Sequence, residues 1–264
     1  MTGKSFSFNQ GRLGNQCFIH LAASMFAEKH NLYIEYQSFN NVKELGLDLF
    51  VGEKKYDKTI VVNDTNYLEL YNRDLVEFNV EFRDFFQSTE IANMSHLYLQ
   101  SKIPTITSNN KYKERYNNNN DCYVCVRLGE VEKYNPGFGY YDYILSTLSV
   151  NNIYLSTDSR DHLIIKQITD KYPNIQILEY SPTDIILFGS TCKYVILSYG
   201  TFAAMIGYLA FYSTVYHVEE TSETSWAFGV HGKPGCGRFD IFNKKFTTIA
   251  DFIEVGKADF LNKY

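Results

Sequence analysis

The pattern of hydrophobic and polar residues predicts two series of alternating strands and helices. In the first half, short apolar or alternating runs indicate strands, and longer segments with apolar residues at helical spacing indicate helices. The predicted elements are, in order, a strand at 5–9, a helix that ends at His30, strands at 32–36, 59–62 and 76–80, and a helix at 85–103.

A polar segment at 104–120 interrupts this pattern. It has no hydrophobic periodicity and ends in four asparagines, which is typical of a linker. The alternation then resumes. The predicted elements of the second half are strands at 122–127, 153–156, 175–178, 194–197 and 214–218 and helices at 140–150, 159–172, 183–192, 201–211 and 249–261.

Alternating strands and helices of these lengths predict parallel α/β sheets. Two such series on either side of a linker predict two Rossmann-like domains that face a cleft, with residues 1–115 in the first domain and 121–264 in the second. In open parallel sheets, ligands bind beyond the carboxyl ends of the strands. The loops that follow strands are therefore the places to look for chemistry.

Composition excludes several other classes of protein. With 45% hydrophobic and 21% charged residues in 264, the chain can bury a full core and is not disordered. Its 25 Lys and Arg against 30 Asp and Glu give a net charge of −5, which provides no general attraction for nucleic acid or anionic lipid. We therefore expect no nucleic-acid partner, and any anionic ligand must bind at a local site.

The number of cysteines and the lack of a recognisable targeting signal predict a reducing compartment. The five cysteines are an odd number in a long chain, so they do not indicate a disulfide framework. Cys122 and Cys125 have C-x-x-C spacing, but they lie on a predicted buried strand and point to opposite faces, so we predict reduced, buried thiols. No hydrophobic signal core begins the sequence, and the apolar stretch at 202–212 is too short to span a bilayer. The expectation is a cytoplasmic protein with no transmembrane segment.

The loop at residues 10–16 reads Gln-Gly-Arg-Leu-Gly-Asn-Gln and precedes a predicted helix. Gly11 and Gly14 let the backbone approach a ligand, and the helix N-terminus favours anions. Arg12 adds a guanidinium and Asn15 an amide. A tight turn with an asparagine cap explains the same residues, so both interpretations stay open.

Three further loops follow predicted strands. Arg127 ends a buried strand, so it pairs with Glu130 or another nearby carboxylate, or it binds a diphosphate. Asp158 and Ser159 are ordinary helix caps that are also suited to contacting a base or ribose. The third loop forms a natural phosphate cradle at a helix N-terminus, although capping alone would explain it. Its residues are Gly200, Thr201 and Phe202.

Together these blocks resemble the α-1,2-fucosyltransferases of glycosyltransferase family 11. The resemblance covers roughly residues 5–218, and its blocks are Gly11-Arg-Leu-Gly-Asn-Gln16, Arg127 with Gly129 and Glu130, Ser156-Thr-Asp158, Asp184 with Cys192-Lys193, and Gly200-Thr-Phe202. It implies a GT-B fold with GDP-fucose as the donor substrate and an acceptor glycan bound mainly by the first domain. It also implies inversion at the anomeric carbon, with no metal and no separate cofactor.

The resemblance assigns roles to individual residues. Arg127 matches the arginine that binds the donor diphosphate, and Asp158, with Ser159 beside it, matches the acidic residue near the guanosine. Gly200, Thr201 and Phe202 match the phosphate and nucleoside loop, and Arg12, Gly14 and Asn15 match the loop that closes over the donor. We expect Arg127 and Asn15 to stabilise the leaving group, and Glu130 is the candidate base for the acceptor hydroxyl.

Three positions depart from the family pattern H-x-R-R-x-D. Cys125, Leu128 and Glu130 stand where that pattern has His, the second Arg and Asp. Two alternatives therefore stay open, namely a transferase for another GDP-sugar and a degenerate module that binds a nucleotide or glycan without turnover. A Rossmann dehydrogenase is disfavoured because the dinucleotide fingerprint is missing.

Overall fold

The chain forms two compact units, Met1–Asn110 (unit 1) and Lys111–Tyr264 (unit 2). Each is built around a parallel sheet. In the described part of the chain no helix is long and apolar enough to cross a membrane. The computed structural model describes residues 4–8, 10–37, 40–219, 237–240 and 245–248.

Unit 1 contains a small parallel sheet and the helices that cover it. Its strands are β1 (Ser5–Ser7), β2 (Ile34–Tyr36), β3 (Thr59–Val62) and β4 (Asn79–Phe82), and its helices are α1 (Leu13–His30), α2 (Asn40–Glu44), α3 (Tyr67–Tyr71), α4 (Thr89–Ser101) and α5 (Ile103–Asn109). The strand order is β2-β1-β4-β3, and every pair is parallel.

Helix α1 forms the centre of the unit 1 core. Apolar and small residues run around its whole circumference, so it is buried on nearly every side. Phe26 packs edge-on against Tyr67 of α3 and Phe82 of β4. The helix ends at Asn31, which adopts a left-handed conformation and donates its backbone N–H to the Ala27 carbonyl. Helix α1 therefore holds the loop at residues 10–16 against a rigid core.

Unit 2 contains a larger sheet. Its strands are β5 (Cys122–Val126), β6 (Ile153–Thr157), β7 (Ile175–Ile177), β8 (Tyr194–Leu197), β9 (Thr214–Glu219), β10 (Gly237–Asp240) and β11 (Lys245–Thr248), and its helices are α6 (Phe138–Thr147), α7 (Leu163–Lys171), α8 (Pro182–Gly189) and α9 (Thr201–Leu209). The order of these described strands is β11-β10-β9-β8-β5-β6-β7. All neighbours are parallel except the antiparallel pair β10 and β11.

The order in which successive strands are added to the sheet reverses between β5 and β8. From β5 the chain adds β6 and β7 on one side and then crosses to β8 and β9 on the other. Every residue of β5 is buried, as expected for a central strand covered on both faces. In an open α/β sheet the crevice at such a reversal is where ligands bind. The residues that follow β5 and β8 therefore occupy the most informative position in the unit.

Several predicted elements coincide with the structure. Strands β3 and β8 have the predicted bounds, and α1 ends at His30 as predicted. The strand predicted at 76–80 lies instead at β4, three residues later. The helix predicted at 85–103 begins at Thr89, where the Ser88 side chain accepts a hydrogen bond from the Ile91 N–H and caps it. The helix predicted at 249–261 lies outside the described residues.

The segment predicted as a linker, 104–120, is largely ordered. Pro104 is the second residue of α5, where proline favours a helix start, and a 3-10 turn follows at Lys113–Arg115. Arg115 donates to Asp121 at 2.8 Å and to the Thr191 hydroxyl at 3.1 Å. Its guanidinium also lies 4.4 Å from the centre of the Phe188 ring. These contacts, which polar composition does not reveal, hold the turn against the rest of unit 2.

Candidate functional site

Residues that follow three neighbouring strands meet at the carboxyl edge of the unit 2 sheet. The backbone N–H of Arg127, after β5, donates to the Ser198 hydroxyl, after β8, at 2.9 Å. The Arg127 Nε donates to Oδ2 of Asp158, after β6, at 2.8 Å. The hydrogen bond between Arg127 and Ser198 joins the ends of β5 and β8, where the strand order reverses. This is the position at which the sheet topology alone predicts a ligand.

The guanidinium of Arg127 is held from two directions. The Asp158 carboxylate binds the Nε of Arg127. The central carbon of the Arg127 guanidinium lies 5.5 Å from the centre of the Phe202 ring. The side chain is only 14% exposed. Among the described residues the two Nη atoms have no hydrogen-bond acceptor. Arg127 therefore combines the two roles considered from its sequence, because it pairs with a carboxylate and still offers donors to a ligand.

Asp158 accepts three hydrogen bonds from the loop after β5. Its Oδ1 accepts the backbone N–H groups of Leu128 at 2.7 Å and Gly129 at 3.2 Å, while Oδ2 binds Arg127. Partial burial favours the protonated form, but these hydrogen bonds and the charge of Arg127 outweigh it and lower the pKa of Asp158. Asp158, rather than Glu130, is the carboxylate that pairs with Arg127.

The loop between β8 and α9 presents a helix N-terminus at the same edge. Gly200 precedes α9 with φ 118° and ψ 149°, a conformation that only glycine adopts readily. Thr201 and Phe202 are the first two residues of the helix. The ring of Tyr199 lies 4.7 Å from that of Tyr134, on the loop after β5. Backbone N–H groups at such a helix start favour an anion.

The loop after β5 is tied down along its length. The Asn135 side chain donates to the Arg127 carbonyl at 3.0 Å and to the Tyr141 hydroxyl at 2.9 Å. Further along the edge, His162 Nε2 lies 3.0 Å from the carboxylate of Glu132. The predicted site residue Glu130 is exposed in this loop.

The backbone N–H of Ser159 donates to the Thr157 hydroxyl at 3.1 Å, so Ser159 belongs to the turn that follows β6. Its contact with a donor stays a prediction. The same holds for the proposed role of Glu130 as a base, because exposure alone does not assign one.

Two of the three positions that depart from the family pattern, Cys125 and Leu128, are buried. Cys125 is inaccessible to solvent, and burial raises the pKa of its thiol to about 11, so it is neutral at physiological pH. Leu128 belongs to the hydrophobic core of unit 2. Cys122 and Cys125 are free, buried thiols, as predicted. These positions contribute packing in this chain rather than charged donors.

The glycine-containing loop lies in unit 1, before α1. Gly11 adopts φ 69°, and its carbonyl accepts a hydrogen bond from the Gln16 side chain at 3.0 Å. Arg12 is the residue before the helix, and Gly14 is buried in its first turn. The Asn15 side chain accepts a hydrogen bond from Gln87 at 3.1 Å. The loop is thus an ordered helix start, and its contact with a donor stays a prediction.

Sequence reasoning missed a pair of carboxylates at the carboxyl edge of the unit 1 sheet. Asp64 follows β3 and Asp84 follows β4, and the Asp64 N–H lies 3.4 Å from the Asp84 carboxylate. Burial, followed by the negative charge of Asp84, raises the pKa of Asp64 to about 6. Asp64 lies two residues after a correctly predicted strand. The strand predicted at 76–80 stops two residues before the end of β4, so Asp84 does not stand close behind the predicted strand.

The fold resembles solved glycosyltransferases. Fucosyltransferase NodZ from Bradyrhizobium is 14% identical over 94% of this chain and 99% of its own, with a TM-score of 0.55. NodZ α-1,6-fucosyltransferase soaked with GDP-fucose gives the same identity and coverage, with a TM-score of 0.52. A variant of Arabidopsis thaliana FUT1 in complex with GDP is 8% identical over 85% of this chain and 72% of its own, with a TM-score of 0.50.

No protein-family model and no curated protein sequence matches the chain. At these low identities the structural likeness establishes the fold class, which is α/β of the GT-B type. The fold expected from the sequence blocks is therefore confirmed.

Proposed function

We propose that the protein is a glycosyltransferase that transfers fucose from GDP-fucose to a hydroxyl of an acceptor glycan. The observation that carries the proposal is the setting of Arg127. It lies where the strand order reverses, in contact with Asp158 and Phe202, and its two Nη donors have no acceptor among the described residues. A fold shared with proteins whose structures contain GDP-fucose or GDP supports it. An α-1,2 linkage, inversion and metal independence belong to the proposal on the strength of the sequence blocks alone.

The leaving group sets the chemical demand on the site. As the bond from the anomeric carbon to the β-phosphate oxygen breaks, negative charge grows on that oxygen and the sugar becomes oxocarbenium-like. Groups already aimed at this charge lower the barrier. Arg127 and the backbone N–H groups around Thr201 are the proposed contributors at the unit 2 edge, and Arg12 and Asn15 are the proposed contributors from unit 1.

The acceptor hydroxyl must lose a proton as the new bond forms. Glu130 is the proposed base, since its carboxylate is exposed on the loop that begins at Arg127. In this arrangement the nucleotide binds unit 2, and the acceptor approaches the anomeric carbon from the face opposite the diphosphate, which inverts its configuration.

Calorimetric titration with a panel of GDP- and UDP-sugars tests the proposal. We expect binding of GDP and GDP-fucose, weaker binding of guanosine, and little binding of UDP-sugars. Adding candidate acceptor glycans to the protein with GDP-fucose should then release GDP. Tight binding of a UDP-sugar with none of any GDP-sugar would contradict the proposal.

A second function is favoured by the buried motif positions. Cys125 is a neutral thiol and Leu128 lies in the core, where the family pattern has two basic residues. A site with fewer charged donors can retain nucleotide binding after losing turnover. GDP binding without release of GDP or fucose from GDP-fucose, across the acceptor panel, would identify such a binding module.

A further inference from the structure

We infer that Asp158 is a positioning residue for Arg127, and that it acts on the diphosphate through Arg127 rather than by contacting the nucleoside. The inference rests on the proposed function, because it concerns how the same site binds a nucleoside diphosphate. It differs from the role that the sequence blocks imply for Asp158, which is contact with the guanosine.

The first argument is the hydrogen-bonding capacity of the carboxylate. Oδ1 already accepts two backbone N–H groups, those of Leu128 and Gly129, and Oδ2 accepts the Nε of Arg127. A carboxylate has about four acceptor positions, and three are occupied here, so a base or ribose could bind only at the remaining lone pair of Oδ2, beside Arg127, unless it displaced a donor. Because two of the donors are backbone groups of one loop, displacing them would move the loop itself.

The second argument is the orientation that Asp158 imposes. An arginine and a carboxylate often form a two-bonded fork, which occupies Nε and one Nη. Here Oδ1 is held by the backbone, so the only contact is between Nε and Oδ2, at 2.8 Å. The central carbon of the guanidinium lies over the Phe202 ring, 5.5 Å from its centre. With Nε held by Asp158 and the group packed over Phe202, the orientation of the two Nη donors is restricted.

The third argument is the space left at Gly129. A methyl group at this position would lie 3.1 Å from Oδ2 of Asp158, which is tighter than an ordinary contact. The missing side chain therefore leaves room for the carboxylate to approach the loop. Leu128, which lies between Arg127 and Gly129 in the sequence, packs in the hydrophobic core and anchors the turn. A glycine beside the carboxylate and a buried leucine before it thus allow Asp158 to pack closely on this loop.

A double-mutant cycle with two ligands tests the inference. Calorimetry would measure GDP and guanosine binding to the wild-type chain, Asp158→Asn, Arg127→Ala and the double variant. We expect Asp158→Asn to weaken GDP binding about tenfold and Arg127→Ala by about 10- to 100-fold, the size of a charge-assisted hydrogen bond. In the Arg127→Ala background, Asp158→Asn should change GDP affinity less than about twofold. Guanosine affinity should stay the same throughout.

A spectroscopic measurement separates positioning from a general loss of structure. The Arg127 Nε–H resonance, assigned by its absence in Arg127→Ala, should shift in Asp158→Asn while amide resonances of unit 1 stay in place. Asp158→Glu, which keeps the charge, should restore part of the GDP affinity.

Each outcome has a defined meaning. If the wild type binds GDP and Asp158→Asn weakens guanosine as much as GDP, or weakens GDP equally with and without Arg127, the inference is wrong and the proposed function stands. If the wild type binds no GDP, the proposed function fails, and the inference fails with it.

Discussion

The carboxyl edges of the two sheets carry opposite electrostatic arrangements. In unit 2, Asp158 lies against the cation of Arg127 and two backbone N–H groups, which outweigh its burial and lower its pKa. In unit 1, burial and the neighbouring Asp84 raise the pKa of Asp64 to about 6. Both pairs follow parallel strands, yet one pairs unlike charges and the other like charges.

This difference shows that strand topology places a site and that side-chain chemistry assigns its ligand. The unit 2 edge combines a fixed cation with a helix N-terminus, both of which favour a diphosphate. The unit 1 edge holds the carboxylates of Asp64 and Asp84, which disfavour the binding of an anionic ligand beside them. The contrast supports the proposal that unit 2 binds a donor diphosphate, and changes at five positions test it.

The largest effect is expected from removing the unit 2 cation. Arg127→Ala should lower the rate of GDP release from GDP-fucose by about 10²–10³-fold, the loss typical of a main charge-stabilising donor. Arg83→Ala is a matched control for GDP affinity, because Arg83 follows β4 at the unit 1 edge and pairs with Glu81. GDP affinity should not change in this control. Retention of most turnover by Arg127→Ala would contradict the proposed mechanism.

A smaller loss is expected from straining the loop before α9. Gly200→Ala places a side chain at φ 118°, which costs about 1–3 kcal/mol, although the nearest atom to the new methyl group is 3.9 Å away. Thermal unfolding should show this loss, and calorimetry should show weaker GDP binding because the N–H groups of Thr201 and Phe202 move.

The control is Ser181→Ala, which removes the cap of α8, where the Ser181 hydroxyl accepts from the Asp184 N–H at 3.1 Å. It should cost about 1 kcal/mol of stability with no change in GDP affinity. Equal loss of GDP affinity in both variants would mean that the β8–α9 loop has no special role.

The sequence predicted the strands at the unit 2 edge better than the contacts between them. Strand β8 has the predicted bounds, and Arg127 stands out in the sequence because it is a charged residue at the end of a predicted buried strand. The pairing of Arg127 with Asp158 depends on β5 and β6 being neighbours, which strand order decides and local pattern does not.

The unit 1 edge is harder to predict from the sequence. Helices α2 and α3 have five residues each, too few for a hydrophobic period to stand out. Asp64 and Asp84 match no motif, and they meet because β3 and β4 are paired in parallel. Carboxylates brought together only by tertiary structure leave no local signal in one sequence.

The two aspartates should respond to neutralisation with opposite signs. Asp158 has a lowered pKa in the folded protein, so it adds stability above its ordinary pKa of 3.8 that is lost as the pH falls through the folded value. Asp158→Asn should therefore destabilise the protein at pH 7 by about 1 kcal/mol, a value reduced by partial exposure. The difference from wild type in denaturant unfolding should shrink as the pH falls below 3.8. An unchanged difference at acid pH would contradict this account.

Asp64 has a raised folded pKa, so the stability it adds is complete below 3.8 and is lost as the pH rises through about 6. Asp64→Asn should therefore stabilise the protein at pH 7, by about 1 kcal/mol after allowance for its half-exposed position, and have no effect near pH 3.5. Asp57→Asn, at an exposed aspartate of unit 1, is the control and should leave stability unchanged at both pH values. Destabilisation by Asp64→Asn at pH 7 would remove the contrast between the two edges.

The smallest effect is expected at the exposed end of the unit 2 edge. His162 Nδ1 accepts the Ile164 N–H at 3.2 Å and caps α7, so the ring proton lies on Nε2 and is donated to Glu132. His162→Asn keeps a capping oxygen and loses only the contact with Glu132, which should cost less than about 0.5 kcal/mol. His162→Ala loses both and should cost about 1 kcal/mol. If His162→Asn cost as much as His162→Ala, or lowered GDP affinity, the loop after β5 would depend on this exposed contact as well as on Arg127 and Asp158.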